Sequence, residues 1–233
     1  MSLSVILLAH NEADTIRQEI RAFHDTIVTR IPGAEFIVAE DGSRDGTRER
    51  ILEAANEVPL RVTGAAERLG YARAVTGAVA EATQPWILLC DGGLKHDPQD
   101  FWRMWDVRDR FDYIAGRKTN REDQWYRRLF TWGFNLVIRQ LFDYDIFDAD
   151  SGMRLINRRV ADEIVPRVTF KGFSSSEIVI RTIHAGLRYG EVPIAYRQRA
   201  GESRGLPTAK LPKAIRGAVS DLLRLRRELR AHK

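Results

Sequence analysis

Short, continuous apolar runs alternate along this chain with segments whose apolar residues recur at helical spacing, and this alternation restricts the fold most. The runs at residues 4–9, 35–39 and 86–90 are typical of strands buried on both faces of a parallel sheet. The segment at 13–28 carries one apolar helical face, formed by Ile16, Ile20, Phe23 and Ile27. The sequence therefore predicts an α/β fold with helices on both faces of a mostly parallel sheet.

The remaining segments continue the same alternation. We predict further strands at residues 60–63, 112–116 and 191–196, and helices at 45–52, 72–82, 125–141 and 177–185. The chain has 233 residues, 44% hydrophobic and 30% charged, which indicates a folded protein. Because no tract rich in Pro, Gly and Ser divides it, we expect one domain over residues 1–206, followed by a helical segment at 207–233.

The segment at 207–233 predicts a basic amphipathic C-terminal helix. Its apolar residues recur every three or four positions from Leu211 to Leu229, and its other face is mostly arginine and lysine. This pattern indicates a helix on an anionic membrane surface, but a helix packed on its own domain or at a dimer seam would look the same. The aromatic and cationic residues of the helix at 125–141 favour lipid contact over burial with snorkelling arginines.

The charge and the single cysteine restrict the partners and the compartment. The net charge of +5 suits nucleic acid, an anionic membrane or phosphorylated substrates equally well, although no nucleic-acid-binding motif is present. Because Cys90 is the only cysteine, an intramolecular disulfide is excluded, which suits a reducing cytoplasm. No run reaches the roughly 18 apolar residues of a membrane span. We therefore expect a cytoplasmic protein with peripheral contact at the inner membrane face and no nucleic-acid partner; the oligomeric state stays open.

Acidic turns follow three of the predicted strands. Asn11 and Glu12 follow the first, Asp41 and Gly42 the second, and Asp91 the strand at 86–90. Ligands of open α/β sheets bind outside the carboxyl ends of the strands. A carboxylate such as Asp41 accepts hydrogen bonds from a base or a ribose, and Asp91 suits a divalent cation on a diphosphate. One such turn would be an ordinary loop, but three in this order predict a nucleotide site.

These turns resemble motifs of the inverting family 2 glycosyltransferases of the Rossmann-like GT-A fold, most of all the dolichol-phosphate mannose synthase and polyprenyl-phosphate glycosyltransferase branch. The resemblance covers nearly the whole chain. It is carried by His10-Asn11-Glu12, by Glu40-Asp41-Gly42-Ser43-Arg44-Asp45-Gly46-Thr47, by Arg68-Leu69-Gly70-Tyr71-Ala72-Arg73-Ala74, by Asp148-Ala149-Asp150-Ser151-Gly152-Met153-Arg154, and by Tyr196, Arg199, Gly201, Ser203 and Arg204.

The resemblance implies an enzyme that transfers a sugar from a UDP- or GDP-sugar with inversion and without a covalent intermediate. Glu12 and Asp41 would hold the nucleoside, and Asp91 would contact the metal ion and the diphosphate. The full donor-binding set that it implies is Ala9, Asn11, Glu12, Asp41, Ser43, Arg68, Gly70, Asp91 and Gly92.

The resemblance further implies a polyprenyl phosphate acceptor at the membrane face. Arginine suits an acceptor phosphate because its planar fork pairs with two oxygens. The acceptor-binding residues would be Arg121, Asn135, Ser151, Arg154, Arg199 and Arg204, and the catalytic residues Asp91, Asp148, Arg117 and Arg128. A phosphate is already ionised, whereas a hydroxyl on a soluble or saccharide acceptor would require a base such as Asp148 or Asp150.

The chain departs from the family at its metal-binding motif. Where the family has Asp-x-Asp, this chain has Asp91-Gly92-Gly93, so Mg²⁺ or Mn²⁺ would be held more weakly, by Asp91, diphosphate oxygens and water. Asp97 or His96 could replace the lost carboxylate, but we predict that both cap the helix beginning near Pro98. Metal-independent transfer, and a nucleotide-sugar-binding protein without transferase activity, stay open.

Overall fold

The computed structural model describes residues 2–119, 125–170, 173–196 and 211–231, excepting the side chains of residues 125–129 and 211–214. The described residues form a seven-stranded sheet flanked by helices, in the order β3-β2-β1-β4-β6-β5-β7. The strands are β1 (Leu3–Ala9), β2 (Glu35–Asp41), β3 (Arg61–Ala65), β4 (Trp86–Asp91), β5 (Tyr113–Lys118), β6 (Met153–Asn157) and β7 (Tyr189–Ile194). The helices are α1 (Ile16–Thr26), α2 (Thr47–Ala55), α3 (Tyr71–Glu81), α4 (Asp100–Asp106), α5 (Trp125–Phe142), α6 (Arg158–Glu163), α7 (Ser174–His184) and α8 (Leu211–Ala231).

The sheet is mostly parallel, which confirms the predicted fold class. β1 pairs in parallel with both β2 and β4, and β5 pairs in parallel with β7. The sequence did not predict β6 or α6, whereas α4 corresponds to the helix predicted near Pro98. β6 lies between β4 and β5 and is antiparallel to both, so its place depends on two distant strands and not on a local pattern.

The central strands are buried on both faces, as the apolar runs predicted. Along β1, Val5 and Leu7 pack into the core on one face of the sheet, and Ile6 and Leu8 into the core on the other. Cys90 on β4 is a free, fully buried thiol, and burial raises its pKa. Two packed cores therefore fix the sheet from both sides.

α8 packs on the rest of the chain through its apolar stripe. Leu222 and Leu225 are almost fully buried in one of the two cores, and Glu228 accepts hydrogen bonds from Arg181 of α7, at 2.9 Å from Nη1. Ile215 and Leu223 remain exposed. Of the predicted alternatives for this segment, packing on its own domain accounts for most of the apolar stripe. In the described part of the chain, no helix combines the length and apolar character that a membrane span requires.

Candidate active site

The strand order brings the three acidic turns to one edge of the sheet. β2, β1 and β4 are consecutive neighbours, with Ala9 paired to Glu40 and Leu8 paired to Asp91. A cavity of about 200 Å³ lies at this edge. It is lined by Leu8, Ala9, His10, Glu12, Ala39, Asp41, Arg68, Tyr71, Ala74, Asp91, Gly92 and Lys95. The three carboxylates of Glu12, Asp41 and Asp91 therefore share one cleft.

A second cavity of about 650 Å³ adjoins the first and shares His10 and Arg68 with it. Its lining also includes Asn11 and Ser43. Eight of the nine predicted donor-binding residues line one of the two cavities; Gly70 lines neither. The two cavities together form the candidate donor cleft.

Asp41 organises one wall of this cleft. Its Oδ1 accepts a hydrogen bond from the N–H of Leu69 at 2.7 Å, and its Oδ2 accepts one from the N–H of Gly70 at 3.0 Å. Gly42 has φ +60°, and a Cβ there would lie 2.3 Å from the backbone nitrogen of Arg68. Only glycine fits this close approach. Asp41 thus fixes the Arg68–Gly70 loop against the cleft as well as lining it.

Hydrogen bonds join the turn after β1 to the turn after β2. The Asn11 N–H donates to Ser43 Oγ at 2.8 Å, and Asn11 Oδ1 accepts from the Arg44 N–H at 2.9 Å. The N–H of Glu12 donates to Thr47 Oγ1 at 2.6 Å. Asn11 and Ser43 therefore hold the two turns together where they line the cleft.

Asp91 is held by Tyr71, which lines the cleft, and by the buried Arg154. Tyr71 on α3 donates its hydroxyl to Asp91 Oδ1 at 2.7 Å, and Arg154 Nη2 lies 3.4 Å from the same oxygen. Arg154 is fully buried and also donates to Ser175 Oγ at 2.7 Å and to the Tyr71 hydroxyl. Burial lowers the pKa of Arg154, but Tyr71, Tyr113 and Asp91 more than offset this and raise it, so the guanidinium stays charged. The network leaves Asp91 Oδ2 for other contacts.

Glu19 fixes the loop after Asp91, and the sequence did not single it out. Its Oε2 accepts from the Gly93 N–H at 2.8 Å, and its Oε1 accepts from the Leu94 N–H at 3.2 Å. Glu19 is 1% exposed and lies on the apolar face of α1, between Ile16 and Ile20. A carboxylate on a buried helical face was the signal that could have identified it.

The buried Glu19 should make the stability of the protein depend on pH. Burial raises the pKa of Glu19 from 4.5 to about 7, although hydrogen bonds from the Gly93 and Leu94 N–H groups offset part of this increase. Between these two pH values the unfolded chain ionises first, so the free energy of unfolding should fall with rising pH, by an amount on the order of 3 kcal/mol. Glu19→Gln lacks this titration, so its urea-unfolding free energy should decline less over that window. Parallel curves for the two proteins would contradict this assignment.

His96 and Asp97 take different roles. Asp97 Oδ1 accepts from the Gln99 N–H at 2.9 Å, in the turn that leads into α4, whose N-cap is Gln99. The prediction that His96 is a cap is wrong, because its ring is buried beside Asp91. A Cβ on Gly152 would lie 2.7 Å from His96 Nε2 and 2.8 Å from Asp91 Oδ2. Burial lowers the pKa of His96 to about 3, which keeps the imidazole neutral.

The predicted acceptor residues shape the segment around β6. Asn135 donates from Nδ2 to the Phe147 carbonyl at 2.7 Å, and the Ser151 hydroxyl donates to the Gly116 carbonyl at 2.7 Å. Asp148 Oδ2 accepts from the Lys118 N–H at 3.2 Å, and the Arg117 guanidinium lies 5.5 Å from the Phe147 ring centroid. Arg154 belongs to the network behind Asp91. Arg121, Arg199, Arg204 and the side chain of Arg128 lie outside the described residues.

A divalent cation would find few protein ligands in this cleft. Among the described residues, no group of three or more His, Cys, Asp or Glu side chains could hold a metal ion. Asp91 and Glu12 nevertheless line the same cavity, and carboxylate oxygens are the ligands that Mg²⁺ and Mn²⁺ accept. The cleft therefore fits a cation that takes most of its ligands from the diphosphate and water.

The sheet topology, with an acidic, two-cavity cleft at the carboxyl ends of β1, β2 and β4, defines a GT-A-type fold. The family described as Glycosyl transferase family 2 matches residues 4–165. The chain belongs to this family and is a glycosyltransferase.

Similar proteins include enzymes that act on lipid phosphates. The chain is 29% identical over 212 residues to a dolichyl-phosphate hexose transferase of Haloferax volcanii, covering 89% of this chain and 88% of that protein. It is 23% identical over 200 residues to an undecaprenyl-phosphate 4-deoxy-4-formamido-L-arabinose transferase of Proteus mirabilis, covering 81% of this chain but only 61% of that protein.

Among solved structures, the fold is similar to glucosyl-3-phosphoglycerate synthase of Mycobacterium tuberculosis in complex with Mn²⁺, UDP and glucosyl-3-phosphoglycerate. The TM-score is 0.73 at 19% identity, over 96% of this chain and 79% of the other. At this identity the likeness establishes the fold alone.

Proposed function

We propose that this chain transfers a sugar from a UDP- or GDP-sugar to a polyprenyl phosphate at the cytoplasmic membrane face, with inversion at the anomeric carbon. The observation that carries the proposal is the shared cleft of Glu12, Asp41 and Asp91 at the carboxyl edge of the sheet. The two relatives named for polyprenyl-phosphate acceptors support the acceptor class.

The proposed reaction is a single displacement. An ionised phosphate oxygen of the acceptor attacks the anomeric carbon, and the bond from that carbon to the diphosphate oxygen breaks, releasing the nucleoside diphosphate. No proton has to be removed, because the acceptor already carries its charge. Asp148 therefore needs no role as a base here, and Arg117 and Arg128 would pair with the acceptor phosphate.

The chain's own groups prepare the leaving diphosphate. Tyr71 and Arg154 hold Asp91 at Oδ1, and Glu19 fixes the following loop, so the carboxylate enters the cleft in one orientation. A bound Mg²⁺ or Mn²⁺, held by Asp91 and Glu12, would supply charge neutralisation on the departing diphosphate. Electrostatic complementarity of this kind is usually the largest contribution to group transfer.

Exposed aromatic side chains on α5 and next to Asp148, with arginines around Phe147, support the membrane location. Trp132 on α5 is 58% exposed and Phe147 is 48% exposed. The guanidinium groups of Arg117 and Arg139 lie 5.5 and 5.7 Å from the Phe147 ring centroid. Aromatic rings beside arginines suit the interface of an anionic bilayer. The acceptor phosphate would approach Arg117 from this side.

The direct test of the function is a transfer assay with the purified chain. UDP- and GDP-sugars labelled in the sugar are incubated with polyprenyl phosphate and Mg²⁺ or Mn²⁺, and label is followed into the organic phase. We expect label in a lipid product that mild acid releases, as a sugar phosphate bond requires. Label only on soluble saccharide would indicate a hydroxyl acceptor. Nucleotide binding without transfer to any acceptor would indicate a sugar-nucleotide-binding protein.

Lipid contact should depend on Trp132. Trp132→Ala should reduce binding to vesicles of anionic lipid about three- to tenfold, because a large exposed aromatic surface no longer enters the interface. The measurement is co-flotation with phosphatidylglycerol vesicles. Leu52→Ala is the matched control, since Leu52 is 49% exposed on α2. Equal losses in both variants would remove Trp132 from the proposed interface.

A further inference from the structure

Lys95 lies in the donor cleft beside the position where the family motif places its second carboxylate. It is half-buried and lines the same cavity as Glu12, Asp41 and Asp91. Arg68 is the other cation in that lining. The cleft therefore places a lysine close to an incomplete metal site.

The backbone at position 93 is built for glycine. Gly93 has φ +95°, and a Cβ there would lie 3.2 Å from both carboxylate oxygens of Glu12. A side chain at this position would be strained in φ and would crowd Glu12. Replacing Gly93 with aspartate would therefore not restore an ordinary metal site, because the loop has a different shape and Glu12 occupies the space.

The ammonium group of Lys95 is available to a ligand. It forms no ion pair within 4.0 Å with a carboxylate of the described residues. Its positive charge lowers the pKa of Glu19, but both Glu19 oxygens already accept backbone hydrogen bonds from Gly93 and Leu94. Lysine binds phosphate as a point charge and needs no fixed fork geometry.

We propose that Lys95 binds the diphosphate of the donor. Its positive charge neutralises part of the diphosphate charge that a cation held by a second carboxylate would otherwise neutralise. The proposal rests on the proposed function and deepens it. Lys95 then binds the diphosphate directly, and Asp91 would hold any divalent cation that accompanies it. Donor binding should consequently persist when divalent metal is removed.

Calorimetric binding of UDP and GDP, each with EDTA or with excess Mg²⁺, tests this role. In EDTA, Lys95→Met should weaken binding of the preferred diphosphate about tenfold or more, because a hydrogen bond to a charged group is lost. Excess Mg²⁺ should reduce the difference in diphosphate affinity between Lys95→Met and the wild type. Binding of the parent nucleoside should change less than about twofold, since it carries no phosphate. Lys95→Arg keeps the charge, so its affinity for the diphosphate should stay within about threefold of the wild-type affinity.

The matched control is Arg50→Met, which removes one positive charge from an exposed position on α2. It should leave diphosphate affinity unchanged, and thermal melting of each variant checks that the fold is intact. Equal diphosphate affinity of Lys95→Met and wild type in EDTA would overturn the role of Lys95 and leave the donor site standing. An equal loss of nucleoside affinity would also overturn it. If the wild type binds neither UDP nor GDP, the proposed function fails as well.

Discussion

Replacing Asp91 with asparagine should lower the rate of sugar transfer by roughly two to three orders of magnitude, the cost of losing one key group that stabilises transition-state charge. Asparagine keeps an oxygen for the Tyr71 hydroxyl but removes the charge that would hold a cation against the diphosphate. The measurement is kcat/KM with the preferred donor at saturating Mg²⁺.

The control for this change lies in the same loop. Asp97→Asn alters a residue that lies outside the donor cavity and accepts a hydrogen bond from the Gln99 N–H. The kcat/KM of this variant should stay within about threefold of the wild-type value. Because Asp91 also compensates Arg154, folding of both variants is checked by thermal melting. A folded Asp91→Asn variant with wild-type kcat/KM would show that Asp91 has no part in the reaction.

Arg154→Met should be strongly destabilising, with a loss of about 3–5 kcal/mol in the free energy of unfolding. The guanidinium is fully buried and donates to Ser175 and Tyr71 with Asp91 alongside. Methionine fills a similar volume but leaves these polar groups without their donor in the interior. The melting temperature should fall by roughly 6–20 °C for a chain of this size.

Arg159→Met is the control for the lost charge. Arg159 forms an i,i+4 pair with Glu163 and its side chain is 60% exposed, so its loss should cost no more than about 0.5 kcal/mol. Arg154→Lys keeps the charge but has fewer hydrogen-bond donors. Its free energy of unfolding should lie between those of the wild type and Arg154→Met. Urea unfolding of all four proteins gives the comparison. A loss below about 1 kcal/mol in Arg154→Met would mean that the network does not hold Asp91 in place.

The sequence was sufficient to predict the parallel core of this fold. The runs at residues 4–9, 35–39 and 86–90 carry a local signal, because a strand buried on both faces must be apolar throughout. Consecutive placement of the three strands then brings their acidic turns together. The convergence of Glu12, Asp41 and Asp91 on one cleft follows from that topology.

The parts that could not be predicted depend on long-range packing. β6 is five residues long and antiparallel, and its position between β4 and β5 has no counterpart in local periodicity. That position also explains Arg154: on β6 its side chain is enclosed behind Asp91, whereas the sequence suggested an arginine that binds the acceptor. His96 was assigned to a helix cap because Pro98 follows, but the turn directs its ring to Gly152 and Asp91.

A crystal structure of the chain with its preferred nucleoside diphosphate tests the central claim most directly. The account predicts the diphosphate between Asp91 and Lys95, and the nucleoside against Asp41 and Arg68 in the same cleft. A nucleotide bound on another surface, or a cleft that stays empty at saturating nucleotide, would contradict it.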